Sequence, residues 1–497
     1  MMSIDNILTD SNVGARKEYK IRDNIFVINA ITNSVAKGGE EAVDIQVYDV
    51  ETCFDSLWLQ ECINDVYEAG LQNDKLPLLF LENSNAKVAV KTSKGTSKRI
   101  NIKNIIMQGS VWGSILCTTS MDKLGKLVYE DENLIYRYKG EVAVPTLCMV
   151  DDVLAVQKCS KASSQINSVI NSFMETKKLT LNQKKCSKIH IGKSSSCCPP
   201  LKVHNEQMKL SEQEKYLGDQ LSKACKIKAT IDDRVTKGYG IVSEITAILE
   251  EIPLRIYRVE MGLKLRQAML VNGRLFNNDD IKNLEKVDEI ILRTLMQSHP
   301  KTPLEFLYLE TGSLKINYII STRRLVYLKT LMMRDDEELT KRILKEQEKN
   351  CTPGDFVELV REDFKQIGKE YNESFVMNTG LIEYKATIKN LTREAAFKDL
   401  VDIQMRHSKV KDIKYETFKC QPYLSSGLFS NEEVSILASL CSHTLRTIRG
   451  NFKNFYQGNL SCPLKCWPEG STPLNDTKEH LLVCSRLDVQ PETTLAC

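Results

Sequence analysis

The sequence predicts an α+β core followed by long helical regions. Strand-like and helix-like segments alternate from residue 41 to 223, whereas helical periodicity dominates 229–298 and 314–372. The chain has 497 residues, of which 42% are hydrophobic and 27% charged. That length exceeds the size of one ordinary domain, and the apolar content suffices for packed cores. We therefore expect three or four folded units.

The α+β core resolves into seven segments in chain order. They are a strand in VDIQVYDV, a helix in LWLQECINDVYEAGL, a basic hairpin in AKVAVKTSKGTSKRINIK, a helix in SVWGSILCTTSMDKLGKLVYE, an apolar hairpin formed by VAVPTLCMV and VLAVQKC, a helix in SSQINSVINSFMETKKL, and a strand in KCSKIHIG. Alternating apolar residues indicate the strands, and apolar residues three and four apart indicate the helices. The basic hairpin is predicted to turn near Lys94-Gly95.

Composition excludes two classes of protein. No apolar run approaches the roughly 18 residues of a membrane span, and the first twenty residues have no signal-peptide pattern. We therefore expect an intracellular protein, of cytoplasm and nucleus, without a membrane partner. Sixteen cysteines without a tight framework indicate free thiols or a metal site.

Positive charge is concentrated in the basic hairpin. Six basic residues and no acidic residue lie between Ser84 and Met107. Such a stripe suits the phosphates of a polyanion. A solvated lysine face is the alternative, and charge alone favours it.

Two adjacent carboxylates, Asp151 and Asp152, interrupt the apolar hairpin. Aspartate is common in turns for structural reasons, so an isolated pair says little. Adjacent carboxylates also repel each other unless a cation neutralises them, and oxygen ligands suit Mg²⁺. Asp49, at the end of the first strand, can supply a third carboxylate. Two Mg²⁺ ions held roughly 3.5–4 Å apart could then assist a phosphoryl transfer.

The order of motifs resembles the reverse transcriptase of non-LTR retrotransposons. The matching residues are Asp49 with Phe54-Asp55, the Gln108-Gly109 pair in MQGSVWGS, Asp151-Asp152 in MVDD, Asn182 and Lys185 in LNQKKC, and Tyr216-Leu217-Gly218 in KYLGD. Upstream, LTDSNVGARKEYKIRDNIFVINAI is similar to the fingers segment of that family. The shared order and spacing over about 200 residues carry the resemblance.

The resemblance implies a right-hand polymerase fold and a role for each matched residue. Asp49, Asp151 and Asp152 would ligate two Mg²⁺ ions, and Lys185 would protonate the pyrophosphate leaving group or contact a phosphate. Phe54 would lie under the incoming sugar and exclude a 2′-hydroxyl, so that the substrate is a dNTP. Gln108 and Gly109 would approach template and nucleotide, and Tyr216, Leu217 and Gly218 would grip the primer. Asp55 is interpreted as structural.

The chain departs from the family pattern at its beginning. Only about 20 residues precede IRDNIF, where family members have further fingers sequence, so we expect an N-terminally truncated fingers region. The restriction-like endonuclease that often follows in related elements is expected to be absent, since 13 residues follow Cys484.

The last cysteines have the spacing of a zinc site. Cys462, Cys466, His480 and Cys484 could form a tetrahedral structural Zn²⁺ site, the CCHC knuckle of the family. Unrelated reduced cysteines are the alternative. Earlier, Arg323 and Arg324 could meet nucleic acid or could pack between helices.

The predicted domains follow from these segments. They are partial fingers (1–40), a palm with an inserted fingers hairpin (41–223), a helical thumb (224–299), a helical post-thumb region (300–455) and a zinc-knuckle-like segment (456–497).

The predicted function is RNA-directed DNA synthesis on an RNA template from a DNA primer, with the element's own RNA and its target DNA as partners. A catalytically inactive nucleic-acid-binding remnant is the alternative. A group II intron maturase is a third possibility, which the CCHC spacing disfavours.

Overall fold

The described chain divides into two units, and the first contains the α+β core. We analysed a computed structural model, which describes residues 8–421 apart from 18, 72–74, 85–86, 102–105, 159–160, 194–199, 224–227, 252–269, 271–275, 277, 297, 299 and 409, and beyond 421 describes Leu424, Ala438 and Ser442. The first unit comprises Met1–Thr230 and Thr330–Arg361, and the second comprises Ile231–Lys329 and Glu362–Cys497. The predicted zinc ligands Cys462, Cys466, His480 and Cys484 lie outside the described residues.

Helices and strands alternate through the first unit, and helices alone are described in the second. The helices are α1 (Ile21–Ala36), α2 (Cys53–Ser56), α3 (Leu59–Glu68), α4 (Leu76–Ser84), α5 (Val111–Tyr129), α6 (Lys161–Thr176), α7 (Lys228–Glu251), α8 (Asn278–Met296), α9 (Leu304–Thr311), α10 (Ile316–Met332), α11 (Leu339–Lys349), α12 (Phe356–Gln366), α13 (Glu373–Asn378) and α14 (Leu381–Gln404). The strands are β1 (Val43–Tyr48), β2 (Lys87–Val88), β3 (Lys91–Thr92), β4 (Gly95–Thr96), β5 (Ile100–Asn101), β6 (Tyr136–Tyr138), β7 (Val142–Val144), β8 (Leu147–Met149), β9 (Asp152–Lys158), β10 (Ser187–Ile191), β11 (Lys202–Val203), β12 (Glu206–Gln207), β13 (Lys209–Leu210), β14 (Gln213–Tyr216) and β15 (Asp219–Ser222). The predicted α+β class is confirmed.

A five-stranded sheet organises the first unit. Its order is β13-β10-β1-β9-β8, with β1 antiparallel to both β10 and β9. The last pair, β8 and β9, forms the predicted apolar hairpin, but the predicted first strand VAVPTLCMV is divided at Pro145-Thr146 into β8 and a separate strand β7 that pairs with β6. On the helical side, α5 contacts β8, α6 contacts β9, and α1 contacts β8 and β10. The central strand β1 is therefore covered along its length, and all six of its residues are buried.

The polar residues of β1 are buried in a hydrogen-bonded network against α6. Alternation in VDIQVY places Asp44, Gln46 and Tyr48 on one face of the strand. The amide of Gln46 donates to Ser163 Oγ (3.0 Å), and the hydroxyl of Ser163 donates to Asp44 Oδ2 (2.8 Å). The hydroxyl of Tyr48 donates to Gln46 Oε1 (2.5 Å) and accepts from Asn167 Nδ2 (2.9 Å). Burial of this face is possible because its polar groups find partners.

The basic hairpin projects from the first unit into solvent. Strand β2 pairs with β5, and β3 pairs with β4 through Thr92 and Gly95, which encloses a two-residue turn at Ser93-Lys94. The predicted turn near Lys94-Gly95 is confirmed. Every residue from 87 to 101 is exposed. The hairpin therefore has no packed face among the described residues.

Residues 330–361 complete the first unit from far along the sequence. Helix α11 contacts α1 and β7. Its first N–H, at Leu339, donates to Asp10 Oδ2 (2.9 Å), and Arg334 pairs with Asp23 (2.9 Å). The carboxylate of Asp355 pairs with Lys139 (3.1 Å). Polar contacts to the N-terminal 140 residues thus hold this segment.

The second unit contains a buried ion pair at the tandem arginines. Arg324 binds both oxygens of Asp363, at 2.8 and 2.9 Å, and is 2% exposed. Arg323 donates to the carbonyl of Leu270. Of the two roles left open for this pair, the described geometry shows packing between segments of the second unit. None of the described helices has the length and apolar character to cross a membrane.

Candidate active site at the tip of the β8–β9 hairpin

The two carboxylates of the acidic pair lie at the tip of a tight hairpin. Met149 pairs with Asp152, so that Val150 and Asp151 form the turn. Val150 has φ +61°, a conformation that a β-branched residue rarely adopts. Its N–H donates to Asn12 Oδ1 (3.3 Å), and a Cβ on Gly14 would lie only 2.8 Å from its Cγ2. Close contact with the N-terminal segment therefore holds the tip in this shape.

Strand register places Asp49 beside the hairpin tip. Tyr48, the last residue of β1, pairs with Val153 of β9. Asp49 and Asp152 are the next residues in this register, and cross-strand neighbours have Cα atoms about 4.5–5.5 Å apart. The three predicted aspartates thus come from adjacent ends of two central strands, because the sheet pairs β1 with β9.

Burial and the negative charges of these carboxylates raise the pKa values of Asp151 and Asp152. Burial, followed by the charges of Asp151 and Asp49, raises the pKa of Asp152 to about 6. Burial and the charge of Asp49 also raise the pKa of Asp151. Lys185 opposes both shifts. The site therefore holds an excess of negative charge that one ammonium group does not neutralise.

Lys185 is located next to Asp49. Its Nζ lies 3.2 Å from Asp49 Oδ2 and 3.3 Å from Oδ1. A turn positions it, since the N–H of Lys185 donates to the carbonyl of Asn182 (2.9 Å) and the N–H of Asn182 donates to the carbonyl of Asp49 (2.8 Å). The predicted residues Asn182 and Lys185 therefore lie beside the aspartates. The side chain of Lys185 is 65% exposed, which leaves it room to move.

Phe54 and the Gln108-Gly109 pair are joined by a backbone hydrogen bond between their segments. The N–H of Ile106 donates to the carbonyl of Phe54 (3.3 Å). Phe54 is half-buried against the core, whereas Gln108 and Gly109 are exposed. Gly109 has φ +86° with nothing near the position of a Cβ. This turn leads into α5, which Ser110 caps by accepting from the N–H of Gly113 (2.8 Å).

The Tyr216-Leu217-Gly218 motif forms a hairpin tip with a buried tyrosine. Leu217 and Gly218 both have positive φ, +48° and +89°, as a two-residue turn between β14 and β15 requires. Tyr216 is 2% exposed, and its hydroxyl donates to the carbonyl of Leu147 (3.0 Å) and accepts from Asn24 Nδ2 (3.3 Å). Burial raises the pKa of Tyr216 well above its usual range. The tyrosine side chain thus links this hairpin to β8.

Two asparagines that the sequence did not single out position the hairpin. Asn12 bridges to Cys148 and accepts from the N–H groups of Gly14 (2.9 Å) and Val150. Asn24 donates to the carbonyl of Cys148 (3.0 Å). Both lie in the segment that resembles the fingers sequence. An asparagine followed two residues later by glycine was the available signal, since this pattern favours a side-chain-capped turn.

The residue types, rather than their described arrangement, suit a hard divalent cation. Three carboxylates repel one another and offer the oxygen ligands that Mg²⁺ prefers. Across the described ranges, no group of three or more His, Cys, Asp or Glu side chains is arranged as a metal site. In the described geometry the ammonium of Lys185 is the cation next to Asp49.

Comparison with known proteins gives a family match within the first unit. Residues 4–221 match the family model described as reverse transcriptase (RNA-dependent DNA polymerase). This range contains Asp49, Phe54, Gln108, the acidic pair, Lys185 and the Tyr216 hairpin. The search of curated proteins gave no match.

Solved telomerase structures are similar to the chain at low identity. Apo telomerase from Candida tropicalis matches at 12% identity with a TM-score of 0.34, covering 78% of this chain and 55% of that one. A C. tropicalis form truncated from its C-terminal domain matches at 15% identity with a TM-score of 0.30, covering 43% and 40%. Telomerase from Candida albicans with a fragment of telomeric RNA matches at 12% identity and 0.28, covering 65% and 52%. The chain spans about half the length of these structures. The family match, and not these structures, is the evidence for a reverse transcriptase domain within residues 4–221.

Proposed function

We propose that this chain copies RNA into DNA by a two-metal mechanism in a non-LTR retrotransposon. One observation supports the mechanism: Tyr48 pairs with Val153, so that Asp49 and Asp152, which come next in this register, follow at the end of the strands beside Asp151. Asp49, Asp151 and Asp152 would hold two Mg²⁺ ions, which supply stabilisation of the charge that develops on the attacking and leaving oxygens. The order of sequence motifs supports the retrotransposon context.

The protein's own residues position the substrates around these carboxylates. Lys185, whose exposed side chain lies beside Asp49, would move to the leaving pyrophosphate. There it would either donate a proton or contact a phosphate through its positive charge. Phe54 would pack under the deoxyribose, and Gln108 with Gly109 would allow close backbone approach to template and nucleotide. Leu217 and Gly218, at their hairpin tip, would contact the primer.

Primer extension tests the proposal. The full chain is given poly(rA)/oligo(dT) and dTTP with Mg²⁺ or Mn²⁺, beside the variant Asp151→Asn/Asp152→Asn. We expect extension by the wild type and a loss of at least about 10³-fold in the variant, because the carboxylates that hold the cations are removed while side-chain size is kept. Asp55→Asn is the matched control, since Asp55 is exposed in helix α2 and is interpreted as structural.

Two outcomes would contradict the proposal. Extension that survives in the double variant would show that the acidic pair is not catalytic. No extension by the wild type, together with salt-sensitive RNA binding, would favour the alternative of a nucleic-acid-binding remnant.

A further inference from the structure

The exposed hairpin of β2–β5 carries charge that the rest of the first unit does not balance. Between residues 87 and 101 it holds five basic side chains and no acidic one: Lys87, Lys91, Lys94, Lys98 and Arg99. Elsewhere in the unit, lysines commonly pair, as Lys123 and Lys177 do with Asp65 (2.6 and 2.5 Å). Within the described part of the chain, none of the five hairpin cations forms an ion pair. Their charge therefore faces solvent.

Folding alone does not account for this hairpin. All fifteen residues from 87 to 101 are exposed, including Val88, Val90 and Ile100 at 43%, 57% and 65%. A two-stranded hairpin without a packed face is marginally stable in water, and mutual repulsion of five cations weakens it further. A polyanion would remove that repulsion and contribute affinity by releasing counterions.

A short length of chain joins the hairpin to the candidate active site. The last residue of the hairpin, Asn101, lies five residues before Ile106. The N–H of Ile106 donates a hydrogen bond to the carbonyl of Phe54. Five residues of chain span at most about 17 Å. Gln108 and Gly109 follow directly. The base of the hairpin is therefore within reach of a strand of nucleic acid that leaves the site.

We infer that the hairpin of residues 87–101 binds the phosphodiester backbone of nucleic acid bound at this site, without reading its sequence. The choice of nucleic acid rests on the proposed function. A lysine ammonium on an extended strand contacts a phosphate as a point charge. Lys87 and Lys91, four residues apart, are separated by roughly 13 Å along the hairpin strand. The template RNA and the DNA strand present the same phosphate chemistry.

Salt dependence of binding tests the inference. Anisotropy of a fluorescein-labelled, unstructured 30-mer, as RNA and as DNA of the same sequence, is measured with the full chain in EDTA from 50 to 200 mM KCl. We compare wild type with Lys87→Gln/Lys91→Gln/Lys94→Gln. The slope of log Kobs against log [KCl] should become shallower by roughly 2, since each lost single-strand phosphate contact removes about 0.7.

A matched control removes three exposed lysines at the far end of the sheet. Lys37 follows α1, Lys161 begins α6 just beyond β9, and Lys349 ends α11, and none forms an ion pair in the described chain. The variant Lys37→Gln/Lys161→Gln/Lys349→Gln should keep the wild-type slope. Neither variant should melt below the wild type, because all six side chains are exposed.

The outcomes separate this inference from the proposed function. A selective loss of slope on RNA or on DNA supports the hairpin's role and identifies the strand, even in a chain that fails to extend a primer. Equal slopes for the two variants, or wild-type binding that is insensitive to salt, would overturn it. So would unchanged nucleic-acid binding combined with selective loss of binding to a poly-glutamate peptide, which would point to an acidic protein partner.

Discussion

Val150 shows how one strained residue can fix the position of two neighbouring carboxylates. A non-glycine residue with positive φ costs about 1–3 kcal/mol and persists where its surroundings hold it. Here Asn12 Oδ1 accepts a hydrogen bond from the N–H of Val150. Gly14 leaves space for the side chain of Val150 only because it lacks a Cβ. The strain lies directly before Asp151 and Asp152. The backbone conformation at Val150 therefore fixes where both carboxylates stand.

Removal of the charge on Asp152 should stabilise the fold at neutral pH and not in acid. Its pKa is raised from 3.8 to about 6, so the folded state binds the proton more tightly than the unfolded state. Unfolding free energy therefore falls as pH rises from about 4 to 6, and the penalty is complete above that range. In EDTA, Asp152→Asn should be more stable than wild type by about 1 kcal/mol at pH 8, a figure reduced for solvent screening. The difference should vanish near pH 4.

Thermal melts at half-unit pH intervals from 4 to 8 measure this difference. Asp55→Asn serves as the control because its carboxylate is exposed near the same site. A stability gain for Asp152→Asn that stays constant with pH would show that the effect is not electrostatic. Millimolar Mg²⁺ should narrow the gap at pH 8, since a cation that binds the folded wild type stabilises it.

Among the residues of the site, sequence predicted those whose chemistry is distinctive. The acidic pair, Asp49 and Lys185 lie together as their residue types suggested, because charged residues between apolar strands stand out. The burial of Tyr216 did not follow, since a tyrosine in KYLGD gives no sign of whether its ring faces solvent or core. Asn12 and Asn24 were missed because asparagine is common in turns and at helix starts.

At the scale of elements, the hydroxyl of Tyr216 links the hairpin of β14 and β15 to strand β8. The hydroxyl of Tyr216 donates a hydrogen bond to the carbonyl of Leu147. Leu147 lies in β8, two residues before Met149, which pairs with Asp152 at the tip of the β8–β9 hairpin. Tyr216→Phe should destabilise the unit by about 1–1.5 kcal/mol, because a buried carbonyl loses its partner. This corresponds to a fall in melting temperature of roughly 2–6 °C.

Tyr67→Phe is the control for that substitution. Its ring is 53% exposed, so its melting temperature should match that of the wild type. Primer affinity should be unchanged in Tyr216→Phe, since the ring is inside the fold. A variant that melts normally but binds primer weakly would instead support direct primer contact by Tyr216.

Periodicity predicted the elements well and their environment less well. Strand β1, helices α3, α5 and α6, and both hairpins occur where apolar spacing indicated them. The alternation of β1 gave no warning that Asp44, Gln46 and Tyr48 are buried, because the partners that make their burial possible come from α6 and β10, more than a hundred residues away. Long-range hydrogen bonds of this kind leave no local pattern.

At the scale of the whole molecule, Asp355 joins distant parts of the first unit. Its carboxylate is 1% exposed and accepts from Asn33 Nδ2 (2.8 Å), Lys139 Nζ (3.1 Å) and the N–H of Thr352 (2.7 Å). Asp355→Ala should cost about 3–5 kcal/mol, because the ammonium of Lys139 is left buried without its partner.

Urea unfolding of the full chain measures that loss. Asp355→Asn, which keeps an acceptor but not the charge, should lie between the wild type and the alanine variant. Glu337→Ala is the control, since Glu337 is an exposed acidic residue of the same segment 330–361. Equal stability of Asp355→Ala and wild type would show that residues 330–361 are held by other contacts.

The return of residues 330–361 to the first unit also constrains the order in which the protein can fold during synthesis. The contact of Asp10 with Leu339 joins residues 329 positions apart. Once the ribosome has made Thr230, roughly 130 more residues must follow before Arg361 is available, about 7–26 s at ~5–20 residues per second. Throughout that interval, the surfaces of α1 and β7 that α11 covers are exposed on the nascent chain. This stretch of translation is therefore the period in which the first unit lacks the cover that α11 supplies.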